Sequence, residues 1–470
     1  MTEAATTIAE KIAHRLHAIK FQDLSDDAVY WTKVAIADTL ACTLAGAPEE
    51  SADILDKTLR ASSDATEGPC LILGRGRRAG AMEAALINGT SSHVLDFDDI
   101  NKSLGGHPSV TLVPVIMALA DELGTDGRRF IQAFVASYEV ECKFARAVNF
   151  YHYEKGWHPT ATIGILGAAA AAAVMLDLTE EQTANALAIA ASLASGLKAN
   201  TGSHTKSLHV GHTCRNGIFA ARIAKNGFTG RTHAFEHNQG YLECFNGAGN
   251  HDIEKMWAEW ANPLDIVKPG VGIKRFPSCA STHGPIDCML ALREQGLRPE
   301  EVAAIRITMS PRRIVHTNRP FPKDPLDCKF SVQYTVARAL TDGWIAMEHF
   351  HGDADKDPTI RRLLGMTTAD TWQKGDPELA NQLAARVQVT KKDGSTIEHQ
   401  VEQAVGRGPE LPVPPAQLRR KFDDCCAVVL DKATTEKLWD LCYRLDTLDD
   451  ARALSGVMDV PVRASIQAAE

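Results

Sequence analysis

The sequence predicts a mainly α protein, with a large all-helical domain over residues 1–263 and 410–470 and a smaller α+β domain over residues 264–409. Three observations carry this reading. Apolar residues recur at three- and four-residue spacing through the first half. Two-residue alternation is almost absent there and begins only after Pro263, where it comes with a hairpin-type turn. At 470 residues the chain also exceeds an ordinary single core, which suits two domains.

Taken in order, Ile8, Ile12, Leu16 and Ile19 share one face of a first helix. Ser25-Asp26-Asp27 opens the next with a cap and an acidic first turn, and Gly46 closes it. A small-residue helical run covers 81–92, and further helices are expected over 111–123, 127–150, 161–176 and 180–197. The last of these starts on the capping box Thr179-Glu180-Glu181-Gln182. Another spans 211–225, ending at Asn226-Gly227. The alanine-rich segment 161–176 falls short of the roughly 20 apolar residues a membrane span needs. Its small side chains instead let helix axes approach closely. Pro263, Pro269, Gly270 and Gly272 punctuate a connector. A helix follows over 279–295, a strand over 302–309, and a hairpin over 385–401 that turns at Asp393-Gly394. After a Pro/Gly-rich linker at 406–415, helices over 418–430 and 434–445 rejoin the first domain.

Composition excludes several function classes. Hydrophobic residues make up 44% and charged residues 23%, ordinary values for a globular chain. The net charge of −9 and the absence of a Lys/Arg stripe argue against nucleic acid as a partner. They leave a small anion open, because a pocket can be basic inside an acidic protein. The eleven cysteines are odd in number, irregularly spaced and without C-x-x-C, which reads as reduced thiols. Residues 1–11 carry Glu3 and Glu10 and no apolar core of a signal peptide. A cytoplasmic protein with no membrane partner is expected.

The densest chemistry is His93-Val-Leu-Asp96-Phe97-Asp98-Asp99, followed by His107-Pro108-Ser109. Carboxylates beside histidines are what proton transfer at a carbon acid requires. The plainer alternative has Asp98 and Asp99 solvated, capping the next segment. His158, in Gly156-Trp157-His158-Pro159-Thr160, stands at a helix start where amides favour an anion, with Thr160 a plausible cap. Lys206, His209 and His212 form a compact cationic segment expected between two helices, and Gly211 could serve close packing. Lys274 and Arg275 precede a helix start and make a credible carboxylate clamp. Cys279 follows, with packing or hydrogen bonding favoured over a nucleophilic role. In the last cluster Arg319 could pair a carboxylate, and Tyr334 or Lys329 could contribute a donor. No dinucleotide fingerprint, P-loop or H-E-x-x-H occurs. Asp96, Asp98 and His107 could bind a hard cation, a role ranked below acid–base use, so no metal is assigned.

These motifs, together with Asn226-Gly-Phe-Thr-Gly230, Lys274-Arg-Phe-Pro-Ser-Cys279 and Phe330-Ser-Val-Gln-Tyr334, run in one order and closely resemble the MmgE/PrpD family. The resemblance implies a helical domain, a smaller α+β lid, a homodimer and no required cofactor. It also implies proton abstraction next to a carboxylate of a small di- or tricarboxylic acid. It places the pocket on Asp96, His107, His158, Lys206, Lys274 and Tyr334; the first four are expected to be catalytic, and Lys274 and Tyr334, with Arg275 and Cys279 beside them in sequence, to bind substrate. Family frequency puts a 2-methylcitrate-type hydro-lyase first. An iminodisuccinate-type epimerase, a cis-aconitate-type decarboxylase and a non-catalytic carboxylate-binding protein are the alternatives. Ile100 and Cys279 stand where the decarboxylase pattern has threonine and histidine. Because Lys274 and Tyr334 fall in the second domain, closure of that domain over the site is expected.

Overall fold

The computed structural model describes residues 6–62 and 64–460. Of the stretch 1–11 read above for a signal peptide, the first five residues, Glu3 among them, lie outside the described residues. The chain divides into two compact units, Met1–Ile273 with Pro415–Glu470, and Lys274–Pro414.

The first unit is helical. It begins with α1 (Ile8–Ala18), α2 (Asp26–Gly46) and α3 (Glu50–Ala61). Thr7 and Glu10 form a capping box on α1, and Ser25 accepts the Ala28 amide at 3.2 Å to start α2. Two short strands, β1 (Cys70–Ile72) and β2 (Arg77–Ala79), pair antiparallel ahead of α4 (Ala81–Val94). After β3 (Ile100–Asn101) come α5 (Ser109–Leu123), α6 (Gly127–Val148), α7 (Tyr151–Lys155) and α8 (Pro159–Thr162). The expected helix over 161–176 breaks at Ile163, so α9 (Gly164–Met175) is a separate, wholly buried helix. α10 (Glu180–Leu193) starts on its capping box but stops short of the expected 197, because Ala194 is extended. α11 starts earlier than expected and runs His204–Lys225.

α11 packs along α4 at glycines. A Cβ on Gly211 would run into the Leu86 carbonyl, and one on Gly89 would lie 3.0 Å from the Gly211 Cα. Glycine at both positions lets the two backbones meet. That approach brings the start of α11 to the end of α4, beside the charged segment His93–Asp99.

The segment expected to open the second domain stays with the first unit up to Ile273. The reason is backbone pairing: β4 (Val271–Gly272) joins β3 antiparallel, Ile100 opposite Gly272. At the other end the helix Pro415–Cys426 belongs to the first unit.

The second unit is built on a four-stranded sheet of β5 (Val302–Met309), β6 (Thr367–Thr371), β7 (Ala385–Lys391) and β8 (Thr396–Val401). Its strand order is β6-β5-β7-β8. β5 runs parallel to β6 and antiparallel to β7, and the hairpin turns through Gly394 at φ 87°. Inward residues Ile305, Ile307, Val387 and Val389 alternate along β5 and β7. They form one core with Ile286 and Leu292 of His283–Glu294 and Val336 and Leu340 of Val332–Asp342.

Candidate active site

The site in the first unit is built around the chain reversal after α4. Leu95 caps the helix and Asp96 takes the left-handed conformation, φ 52°, which aspartate tolerates better than most residues. The reversal returns Asp98 to the helix end, where its Oδ2 accepts from His93 Nδ1 at 2.8 Å. His107 Nδ1 lies 2.9 Å from the same oxygen. An ionised carboxylate only accepts, so His93 directs its Nδ1 proton at Asp98, while His107 Nδ1 lies against the same oxygen as an ion-pair contact. His107 Nε2 is 3.8 Å from Asp96 Oδ1, and Lys206 Nζ meets that oxygen at 2.5 Å. His107 is also set through its backbone, whose amide donates to Thr160 Oγ1 at 3.2 Å.

The remaining histidines come from α8 and α11. His158 is the residue before α8, and its amide donates to the Gly196 carbonyl at 3.0 Å. Its Nδ1 lies 3.2 Å from Nδ1 of His209, one turn after Lys206 on α11. The His158 ring stacks on His93 with centroids 5.6 Å apart, and His93 meets His107 edge-on at 4.7 Å. Four imidazoles, two carboxylates and one ammonium thus converge.

Their charge states follow from burial and neighbours. Burial would raise Asp98, but His107 and His93 outweigh it and hold the carboxyl well below its usual range. Burial pushes His93 down to about 4, helped by the Lys206 charge and opposed by Asp98. His158 is driven well down by burial and then by His93 and Lys206, and His209 is lowered by burial, His212 and Lys206. His93 and His158 are therefore neutral at ordinary pH, beside a cation. Asp99 behaves oppositely. Burial, with Asp38 and Asp98 nearby, raises it well above the usual range against the Ser109 hydroxyl at 2.5 Å. The reading of Asp98 and Asp99 as solvated caps is thereby corrected, as both are buried.

Asp96, His107, His158 and Lys206 are brought together, as the sequence grouped them. Lys206, His209 and His212 are not in a loop but in the first turns of α11. The periodicity was hidden because its buried face is Ser207, Val210, Gly211 and Cys214, small residues rather than an apolar stripe. Thr160 does not cap its helix; it takes the His107 amide instead. His93, Asp98 and His209 belong to the site although none was chosen for a role. The signal for the first two was their place in the same charged heptapeptide, whereas His209 is found only once α8 and α11 pack together.

Residues of the second unit are placed within it as follows. Lys274 is buried. Arg275 is not an open clamp: its Nη1 pairs with Asp287 Oδ1 at 2.6 Å. Cys279 is half-buried and its amide donates to the Lys329 carbonyl at 2.9 Å. Tyr334 is also corrected, since its hydroxyl donates to the His349 carbonyl and accepts from Arg338 Nε at 3.1 Å. Its proton is spent inside the fold rather than held for an oxyanion. Arg319 pairs with Asp327, and Lys329 Nζ donates to the Pro277 carbonyl at 3.3 Å.

His93, Asp98 and His107 are also the described residues that come nearest to a metal triad, with donor atoms within 4.8 Å. The two separations of 2.8 and 2.9 Å are hydrogen-bond lengths. Donors sharing one tetrahedral zinc at bonds of about 2.1 Å sit about 3.4 Å apart. A cavity of about 690 Å³ elsewhere in this unit is lined by Arg231, His233, His237 and Tyr241, with no carboxylate, and includes none of the site residues.

Comparison with known proteins places this geometry in a family. The MmgE/PrpD N-terminal domain matches residues 10–254 and the C-terminal domain residues 276–445. Cis-aconitate decarboxylase of Homo sapiens is 30% identical over 97% of this chain and 95% of its own length. The Mus musculus enzyme of that name is 28% identical over 97% and 94%. That of Aspergillus terreus is 24% identical over 99% and 98%. A histidine–carboxylate–lysine cluster on a helical unit, two domain matches in register and full-length relatives agree: this chain belongs to the MmgE/PrpD family.

Proposed function

We propose that the protein is a lyase that works through a carbanion next to a carboxylate of a small di- or tricarboxylic acid. The observation that supports this is the Lys206 ammonium, 2.5 Å from Asp96 and beside the buried neutral imidazoles of His93 and His158. Lys206 holds a substrate carboxylate and neutralises charge developing on it. Asp98 fixes the His107 ring so that Nε2 delivers or receives a proton. His158 is the neutral base.

Two lyase reactions fit. Decarboxylation is placed first, because the relatives that cover nearly the whole chain are named cis-aconitate decarboxylases. In it a C–C bond breaks, carbon dioxide leaves, the electron pair stays on carbon, and His107 or Lys206 supplies the proton. Dehydration, which family frequency alone puts first, is the second reading. It is favoured by His158, since a neutral base is required to take an α-proton and is idle in a decarboxylation. There the C–H pair forms the alkene while hydroxide leaves with a proton from an acid.

The test is NMR of cis-aconitate, citrate, 2-methylcitrate and iminodisuccinate incubated with the enzyme. Carbon dioxide with an unsaturated dicarboxylate supports decarboxylation, and gain or loss of water supports the hydro-lyase. Inversion without a new alkene moves the assignment to an epimerase. Binding of these acids with no chemistry on any of them defeats the lyase reading in favour of a carboxylate-binding protein.

A further inference from the structure

Lys421 lies on the helix Pro415–Cys426, far along the chain from the site, yet its ammonium ends inside the charged turn. Nζ pairs with Asp38 Oδ1 of α2 at 2.6 Å, with both side chains almost fully buried. It also donates to the Phe97 carbonyl at 2.7 Å and sits 4.1 Å from the centroid of the Phe97 ring. Phe97 stands between Asp96 and Asp98. We propose that Lys421 is a positioning residue for the site, holding the Phe97 carbonyl and thereby the directions of Asp96 and Asp98.

A buried ion pair by itself says little, because desolvation offsets most of the attraction and a neutral pair of similar shape often serves as well. The bond to Phe97 distinguishes this one. Each of the four turn residues is held by a different group. Asp96 is held by Lys206, Phe97 by Lys421, Asp98 by His93 and His107, and Asp99 by Ser109. Asp96 also needs such support, since its left-handed backbone persists only where the surroundings impose it. Burial opposes the Lys421 charge, but Asp38 and the neighbouring thiols of Cys42 and Cys425 overcome it and raise the ammonium to about 12. The donor is therefore charged at every working pH. Loss of this bond frees a carbonyl flanked by two site carboxylates, and shifts of about 1 Å at such groups cost on the order of a hundredfold in rate.

The kinetic part of the test rests on the lyase reading; the spectroscopic part does not. Lys421→Met leaves Asp38 buried and unpaired, so the double variant Asp38→Asn/Lys421→Met, which removes both charges, carries the test, and thermal melting establishes that it is folded. Asp38→Asn alone keeps the ammonium on Phe97. The readouts are the ¹⁵N imidazole signals of His93 and His107, which report Asp98, and kcat and KM on the acid the wild type turns over. The expected result is displaced histidine signals and a kcat about a hundredfold lower in the double variant, with KM little changed and both signals retained in Asp38→Asn. A folded double variant with wild-type histidine signals and kcat overturns the proposal, as do equal displacements in Asp38→Asn and the double variant. If the wild type turns over none of the acids, the lyase reading fails, and the histidine signals still decide the role of Lys421.

Discussion

Lys206 and Asp96 are 110 positions apart in sequence, and the proposed chemistry depends on their meeting. Lys206→Ala leaves Asp96 without its cation and should weaken substrate binding by about 2–5 kcal/mol, measurable by calorimetry. Lys206→Arg should keep part of that binding while losing turnover, because a planar guanidinium preserves charge but not shape. Trapping of a substrate adduct on Lys206 with borohydride would instead show an imine mechanism. Two histidines six positions apart illustrate how much a residue's role depends on its partners. Unlike His158, His152 is satisfied on both nitrogens, by Asn246 and Thr162 at 2.8 Å each, and is a core residue. Burial lowers it to about 4. Between pH 6.5 and 4 the unfolded chain therefore binds a proton that the folded chain refuses, so its contribution to stability falls as pH falls. His152→Gln removes that linkage. Urea melts should show the stability gap between wild type and variant closing by about 3 kcal/mol from pH 7 to pH 4. The cluster from His93 to Asp99 was legible in the sequence because it is local. The pairing of His158 with His209 was not, since it exists only where two separate helices pack.

At the scale of elements, the packing of α4 on α11 sets the distance between Asp96 and Lys206. Gly211→Ala places a methyl against the Leu86 carbonyl of α4. Overpacking of this kind costs about 1–3 kcal/mol, so the variant should melt earlier and lose activity beyond what its folded fraction explains. Equal specific activity of the folded protein would show that the helix spacing does not matter to the site. The sequence was easy to read where chemistry is local, as at the capping box on α10 or the Asp393-Gly394 hairpin. It misled where small residues form the buried face. The start of α11 carries no apolar stripe, and the break at Ile163 is marked by nothing stronger than Gly164, a residue helices tolerate.

At the scale of the whole molecule, the change from helical to mixed texture near Pro263 was visible, but the unit boundary lies at Lys274 because a two-residue strand pairing holds the intervening segment. Such a pairing has no signature in composition. The second unit has its own core around Phe276, Ile307, Leu340 and Val387, so residues 274–414 expressed alone should melt cooperatively by circular dichroism. A broad, non-cooperative transition would show that this core is not self-sufficient. The central claim, that Asp96, His107, His158 and Lys206 support a carbanion next to a carboxylate, is tested most directly by NMR of the acid substrates in deuterated water. The wild type should place solvent deuterium on the carbon beside a carboxylate, in product or in recovered substrate, and Lys206→Ala should not. Binding with neither deuterium beside a carboxylate nor an alkene formed by loss of water, or equal incorporation by the two proteins, would contradict the account.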